Sequence, residues 1–439
     1  MNATANELPA RLSEALLLRA MRERRSRRFA PGMTLATGPL SYSSVRPPAP
    51  LTEAEEAALA FAACGVTGYA LADLPYGKGS APESSGGHIM THFIARTVAS
   101  GDAMHDCTVF VLNDGGAWLL KRPQDYPRHE IPALIQAARE QRLRTLYERA
   151  RVRIADRRPR VPDQVPFVAP FNKWMGNQPG TTYFLPVTEL SALYINVLLS
   201  MFDDDFGMFL VDDHNGCQPA GVGRFARSKG GKLHDDPGQG RVLTVSFLET
   251  WICEFCAIEQ GAIHQNLALM CAALGLGGFP HFAAHPFIWP LTLGFRAESV
   301  SLHRILGLPS GLPGDQQVPN PVGLEQAGEV LLRAFCPPYF RDMEQAVLAF
   351  VDYKYAAGKG TFRDGGTVTG WTDGAAVQAG IPCYSETAVA ATIAACNYLF
   401  ERSGRFPTSS APFRTVLAFQ AHRLDPDFYS RFYRADALD

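Results

Sequence analysis

Residues 261–278 read GAIHQNLALMCAALGLGG. Ile263, Leu267, Met270 and Leu274 recur at i, i+4, i+7 and i+11, which places them on one face of a helix. Ala268, Cys271, Ala272 and Ala273, lying between them, are small and let another element pack closely. Gly275, Gly277 and Gly278 follow at once. Backbone stripped of side chains there suits either a tight helix end or close approach to a flat ligand.

Working outward, CTVFVLND (107–114) followed by GGAWLLKR predicts a β-hairpin, two apolar runs joined by an Asn-Asp-Gly-Gly turn. GMFLVDD (207–213), RVLTVSFLE (241–249) and FRTVLAFQAH (413–422) read as further strands. Apolar spacing predicts an opening helix over 8–28. A second begins after Thr52, with Glu55 completing a capping box and Gly65 following its end. Residues 340–358 and 385–404 are helical by pattern. Residues 73–87 form a Gly/Ser/Pro-rich loop, and 310–330 a Pro/Gly-rich linker. FNKWMGNQPGTTYFLPV (171–187) mixes aromatic and hydrogen-bonding residues, as either a substrate-covering loop or an irregular packed segment would. No internal repeat is present.

The chain has 439 residues, enough for one large domain with insertions or for two or three ordinary ones. Lys plus Arg is 41 against 43 for Asp plus Glu, a net charge of -2, so no long-range field gathers nucleic acid. Nine arginines between Arg139 and Arg160 read as the solvated face of an amphipathic helix. The nine scattered cysteines read as reduced thiols of a cytoplasmic protein, with CEFC (253–256) lacking the second pair that a zinc site needs. No apolar run approaches the ~20 residues of a membrane span.

RERRSRRFAPG (22–32) crowds five arginines into seven residues, and a solvated helix end, a nucleic-acid patch and a fork for a small phosphate all fit it. Together with other fragments it resembles the nitroreductase family. RRSRRF is similar to the family's FMN-binding start, and RTVASGDAMHDCTVFVLNDGGAWLL (96–120) to its small-residue turn into a central strand. EQGAIHQNLALMCAALGLGG (259–278) resembles its Gln-Asn helix and glycine turn. ILGLP (305–309) and the closing GRFP (404–407) follow in order. The likeness covers roughly 150 residues; residues 121–240 and 310–395 read as insertions in a single domain spanning 1–439.

The resemblance implies an α+β fold, a central, mainly antiparallel sheet flanked by helices, in a homodimer with FMN between the protomers. Arg24, Arg25, Ser26 and Arg28 would hold the phosphate and ribityl chain, with Arg405 closing the pocket. Ser100 and Gly101 would lie against the flavin, although Asp102 departs from the family's usual small residue. Gly277, Gly278, Phe279 and Pro280 would approach the ring, and His281 and His285 would orient a substrate. His264 reads as a core or interface histidine. The small-residue face of 261–275 and the strand 413–422 would meet the partner.

The implied reaction is hydride transfer from NADH or NADPH, through FMN, to an electron-poor nitro compound, quinone or activated alkene. No catalytic side chain, metal, nucleic acid or membrane is called for. Two alternatives stand. One is an FMN-dependent dehydrogenase of azolines or similar substrates, whose family carries a Lys-Tyr pair before the Gln-Asn helix; here Lys354-Tyr355 comes after it. The other is a flavin-binding protein without turnover.

Overall fold

Seven strands form one sheet around a largely buried hairpin. In chain order the sheet contains β1 (Cys107–Asn113), β2 (Gly116–Leu120), β3 (Arg151–Ala155), β4 (Thr182–Glu189), β5 (Gly277–His281), β6 (Phe413–Arg414) and β7 (Ala418–His422). The spatial order is β5-β7-β4-β1-β2-β3, antiparallel throughout, with β6 continuing β7's side of β4. The computed structural model describes residues 17–74, 89–282, 284–309 and 311–438.

The main helices are α1 (Leu17–Glu23), α2 (Glu53–Cys64), α3 (Ser191–Met201), α4 (Val245–Leu274), α5 (Met343–Tyr355) and α6 (Glu386–Ser403). Side chains alternate across a strand, so β1 feeds two cores. Val109 and Val111 pack with Ile263, Leu267 and Cys271 of α4 and with α2. Phe110 and Leu112 face the other way, into a larger core holding α3, α5 and α6. The result is an α+β arrangement, a mainly antiparallel sheet covered by helices on both faces. Among the described residues no helix is long and apolar enough to cross a membrane.

Several expectations are corrected. Residues 182–187, read as part of a loop, belong to β4, a central strand buried along its whole length. Pro186 hid it, since proline argues against a central strand. It is tolerated because β7 pairs only residues 182–184 and β6 only 188–189, leaving Pro186 in a gap of the ladder. β3 and β4 both lie within 121–240, so that stretch helps build the central sheet and is not wholly an insertion. Residues 413–422 divide into β6 and β7, and β7 sits inside its own chain's sheet, so it does not cross to a partner. Residues 317–326 form a strand, Gln317–Gln326, between Arg296–Ser301 and Glu329–Arg333, where a linker was expected. Only Val242–Thr244 of 241–249 is extended, because Thr244 caps α4 at Phe247 N. The opening helix ends at Glu23, and its first residues, 8–16, lie outside the described ones, as does most of the loop 73–87.

The basic stretch 139–160 is not one helix. It comprises the end of Ile131–Arg139, the helix Leu143–Ala150 and β3. Arg144 and Arg151 both pair with Glu53, Arg153 pairs with Asp156, and Arg158 lies over the Tyr183 ring while bonding Thr181 O. The capping box at Thr52 and Glu55 is present as read.

The corner between α4 and β5 leaves no room for a side chain. A Cβ on Gly278 would lie 2.7 Å from Cys271 Sγ and 2.8 Å from the Phe419 ring. Gly278→Ala should therefore lower stability in urea by about 1–3 kcal/mol without changing the slope of the transition. An unchanged midpoint would show that this corner is loosely packed.

Candidate functional site

α4 carries four polar side chains that tie it to its surroundings. Near its start, Glu249 accepts from Thr408 N at 2.7 Å, Thr408 Oγ1 at 2.8 Å and Ser409 N at 2.6 Å. In the middle, Glu259 pairs with the buried Arg96 and accepts from Ser100 Oγ at 2.8 Å. Gln260 spans the ladder gap beside Pro186, donating to Thr188 Oγ1 at 2.7 Å and Arg414 O at 3.1 Å and accepting from Val416 N at 3.0 Å. Asn266 donates to Ala62 O and Thr97 O at 3.1 and 3.0 Å. Asn266 of the Gln-Asn pair is thus a clamp, and Gln265 is exposed.

These anchors locate the residues singled out in the sequence. Arg405 lies by the first anchor, buried, with Nε donating to Thr408 O at 2.7 Å. Ser100 lies at the second, and Gly101 sits against Phe255. The arginine arm lies at the far end of α4. Beyond Glu23 the chain has no regular secondary structure through Ala30, and Arg27 O comes beside Gly277, where a Cβ would be 2.8 Å away. The Arg28 guanidinium lies 5.1 Å over the Phe279 ring. Phe29 N donates to Tyr429 OH at 3.0 Å, and its ring stacks on Phe428 at 4.1 Å, which fixes the arm on the C-terminal helix Pro426–Phe432.

The structure therefore brings Arg27 and Arg28 to Gly277–Phe279, two segments some 250 positions apart in the sequence. It does not bring Ser100, Gly101 or Arg405 to them within one chain. At 1.5 Å per residue, Glu249 lies about 38 Å and Glu259 about 22 Å from the end of α4 at Leu274. The glycines also differ from expectation. Their backbone pairs with β7, and the space a Gly277 Cβ would need is taken by His422 Nε2, 2.6 Å away. Phe279 is buried and Pro280 exposed. β5 is an edge strand, so the backbone groups facing away from β7 remain without a strand partner.

Burial keeps the histidines here neutral. It pushes His281 and His422 down to about 3 and His264 down to about 4. His264 stacks near Phe419, as a core histidine would. His285 is exposed, its N–H on Phe167 O at 2.8 Å.

Two polar groups went unread in the sequence, because their members come from separate segments without motif spacing. Lys354 is wholly buried, its Nζ 2.8 Å from Asn196 Oδ1 and 2.6 Å from Tyr384 OH, ringed by Phe350, Phe362 and Tyr384. Burial lowers its ammonium well below the usual lysine range, opposed by Asp102. Burial also lifts the Asp102 carboxyl to about 6. The second group lines a cavity that includes Asp106, Arg122, His92 and Tyr353.

No family model matches the chain, and no curated protein matches it. A solved structure from Ralstonia eutropha JMP134, described as a "putative nitroreductase", is 13% identical and covers 64% of this chain and 77% of its own, with a TM-score of 0.29. At that score the likeness says nothing about individual residues.

A titration tests the neutral histidines. A depressed folded-state value means that the unfolded chain binds the extra proton between the folded value and about 6.5. Each such histidine therefore makes stability rise with pH across that window and fall on acidification. His422→Gln should remove up to about 1.4 kcal/mol per pH unit from the slope between pH 4 and 6. Equal slopes in the wild type and the variant would mean that His422 titrates normally.

Proposed function

We propose that the chain is a nitroreductase-like, FMN-dependent oxidoreductase working as a homodimer. The observation that carries this reading is the packing of the arginine arm against Gly277–Phe279. Arg24 and Arg28 have no carboxylate partner among the described residues, whereas Arg22 pairs with Glu23 and Arg25 caps the Arg22 and Arg24 carbonyls. Guanidinium groups without carboxylate partners on an anchored arm suit a phosphate monoester. Arg24, Arg25, Ser26 and Arg28 would hold that end of FMN, with Gly277–Pro280 beside its ring through the free edge of β5. When bound, FMN supplies hydride transfer between NADH or NADPH and an electron-poor nitro compound, quinone or activated alkene. The chain's own part is to bind, orient and keep uncharged histidines near the ring.

Ser100, Gly101 and Arg405 would come from the second protomer. A two-fold axis across α4 would bring the first half of one helix alongside the second half of the other, and with it those residues toward the arginine arm. Apolar side chains are available for that contact: Phe247 and Ile258 on α4 are 57% and 69% exposed, and Leu17 and Leu18 on α1 are 66% and 81%. Ala268, on the face first assigned to the partner, instead packs into its own core.

One observation favours the azoline-type dehydrogenase as a second reading. The lysine that is misplaced in sequence lies beside a tyrosine in space, Tyr384, and interacts with Asp102, the neighbour of Gly101. A lysine whose ammonium is destabilised by burial gives up its proton more readily, as a general base requires.

Arg28→Ala should weaken FMN binding by about ten- to a hundredfold, the loss of one charge-assisted contact of about 1.5–3 kcal/mol. Ile258→Arg should produce a monomer that loses flavin at the same time, read by light scattering beside the visible spectrum. A soluble monomer retaining stoichiometric FMN would show that one chain completes the site and would overturn the dimer.

A further inference from the structure

We propose that the cavity at the other end of the sheet binds a small organic amine, its ammonium group seated on Asp106. This cavity has a volume of about 350 Å³, within the range of small-ligand sites. One wall is the core, Asp106 before β1 and Glu189 at the end of β4. The opposite wall is the strand Glu329–Arg333 with Phe335, Phe350 and Tyr353. Register places it away from the arginine arm, because Glu189 pairs with Phe413 while Thr182 pairs with Ala421, next to His422 and Gly277.

The choice of an amine follows from which groups still have bonding capacity. Glu189 is saturated, accepting from Ser191 N at 2.8 Å, Ala192 N at 2.9 Å and the Ser191 hydroxyl. Asp125 is taken by Arg122, whose Nε and Nη2 each donate to it at 3.0 Å. Asp106 is 6% exposed, yet its Oδ2 has no hydrogen-bond partner among the described residues. A buried carboxyl without a partner is costly, and a donor brought by a ligand removes that cost. Three carboxyl groups line the cavity, against Arg122 and an Arg333 whose guanidinium lies over the Phe340 ring at 5.1 Å. With Asp106 ionised the carboxylates outnumber the guanidinium groups by one, which a single ligand ammonium balances.

The remaining lining agrees. Phe350, Tyr353 and Phe335 offer aromatic faces to a cation, and Leu332, Met104 and Ala192 offer an apolar wall to a carbon body. His92 adds no competing charge: burial pushes it down to about 3, and Tyr353 OH lies 2.8 Å from its Nε2. Asp106 itself is raised well above the carboxylate range by burial, with Glu189 and Glu259 adding to this and Arg122 and Arg96 opposing it. A bound ammonium would reverse that balance by pairing with the anion. The inference does not depend on the flavin reading.

Calorimetric titration of the full chain with butylamine, phenethylamine and agmatine, and with neutral 2-phenylethanol, tests it. At least one amine should bind. Its affinity should fall at least tenfold in Asp106→Asn, which keeps the shape, and in Leu332→Trp, which fills the cavity from the opposite wall. Phenethylamine should bind at least tenfold tighter than 2-phenylethanol. Absence of binding by all three amines overturns the proposal, as does alcohol binding equal to amine binding. Should Asp106→Asn fail to fold, Leu332→Trp decides alone, and undiminished amine binding there is equally contradictory.

Discussion

The anchoring of α4 by its buried polar side chains is the constraint on which the remaining structure depends. A helix of 30 residues packed on a sheet can slide or rotate if only apolar contacts hold it. Glu249, Glu259, Gln260 and Asn266 forbid this, since any shift would strand several buried donors and acceptors at once. The Arg96–Glu259 pair is the most demanding: loss of one member of a buried ion pair costs about 3–5 kcal/mol. Gln260 does a different job, supplying hydrogen bonds where the ladder beside β4 is interrupted. That interruption is what lets Pro186 lie in a central strand.

With α4 held in register, the two halves of the proposed flavin site are held far apart. The arm carrying Arg24–Arg28 is fixed by Phe29, Phe428 and Tyr429 at one end, and Arg405 is fixed by Thr408 near Glu249 at the other. On the proposed reading, that distance would give a second protomer a role, as the supplier of Ser100, Gly101 and Arg405. The same register sets the environment of His281 and His422, which the sheet and the arm bury together and so keep uncharged.

Much of this was legible in the residues. The face Ile263–Leu267–Leu274, the hairpin 107–120 and the capping box at Thr52 are local patterns, and local physics produces them. β4 was hidden because its proline is tolerated only through a gap created by residues 413–418, more than 200 positions later. The strand Gln317–Gln326 was hidden by its prolines in the same way. Gly277 and Gly278 were read as a tight helix end or a close approach to a flat ligand; in the fold, His422, Cys271 and Phe419 crowd the space beside them. The contact of the arginine arm with the glycine strand was suggested only by resemblance. Asp106 had no signal, and Lys354 was noted only as a misplaced Lys-Tyr pair, because their partners come from segments that only the fold assembles.

The central claim is that the arginine arm on β5 holds the phosphate of FMN. The most direct measurement is to denature the purified protein and identify and quantify what it releases, by chromatography against FMN and FAD standards. The account predicts FMN, close to one per chain, or its stoichiometric uptake by protein purified without it. Release of FAD, or a colourless protein that FMN does not reconstitute, would contradict it.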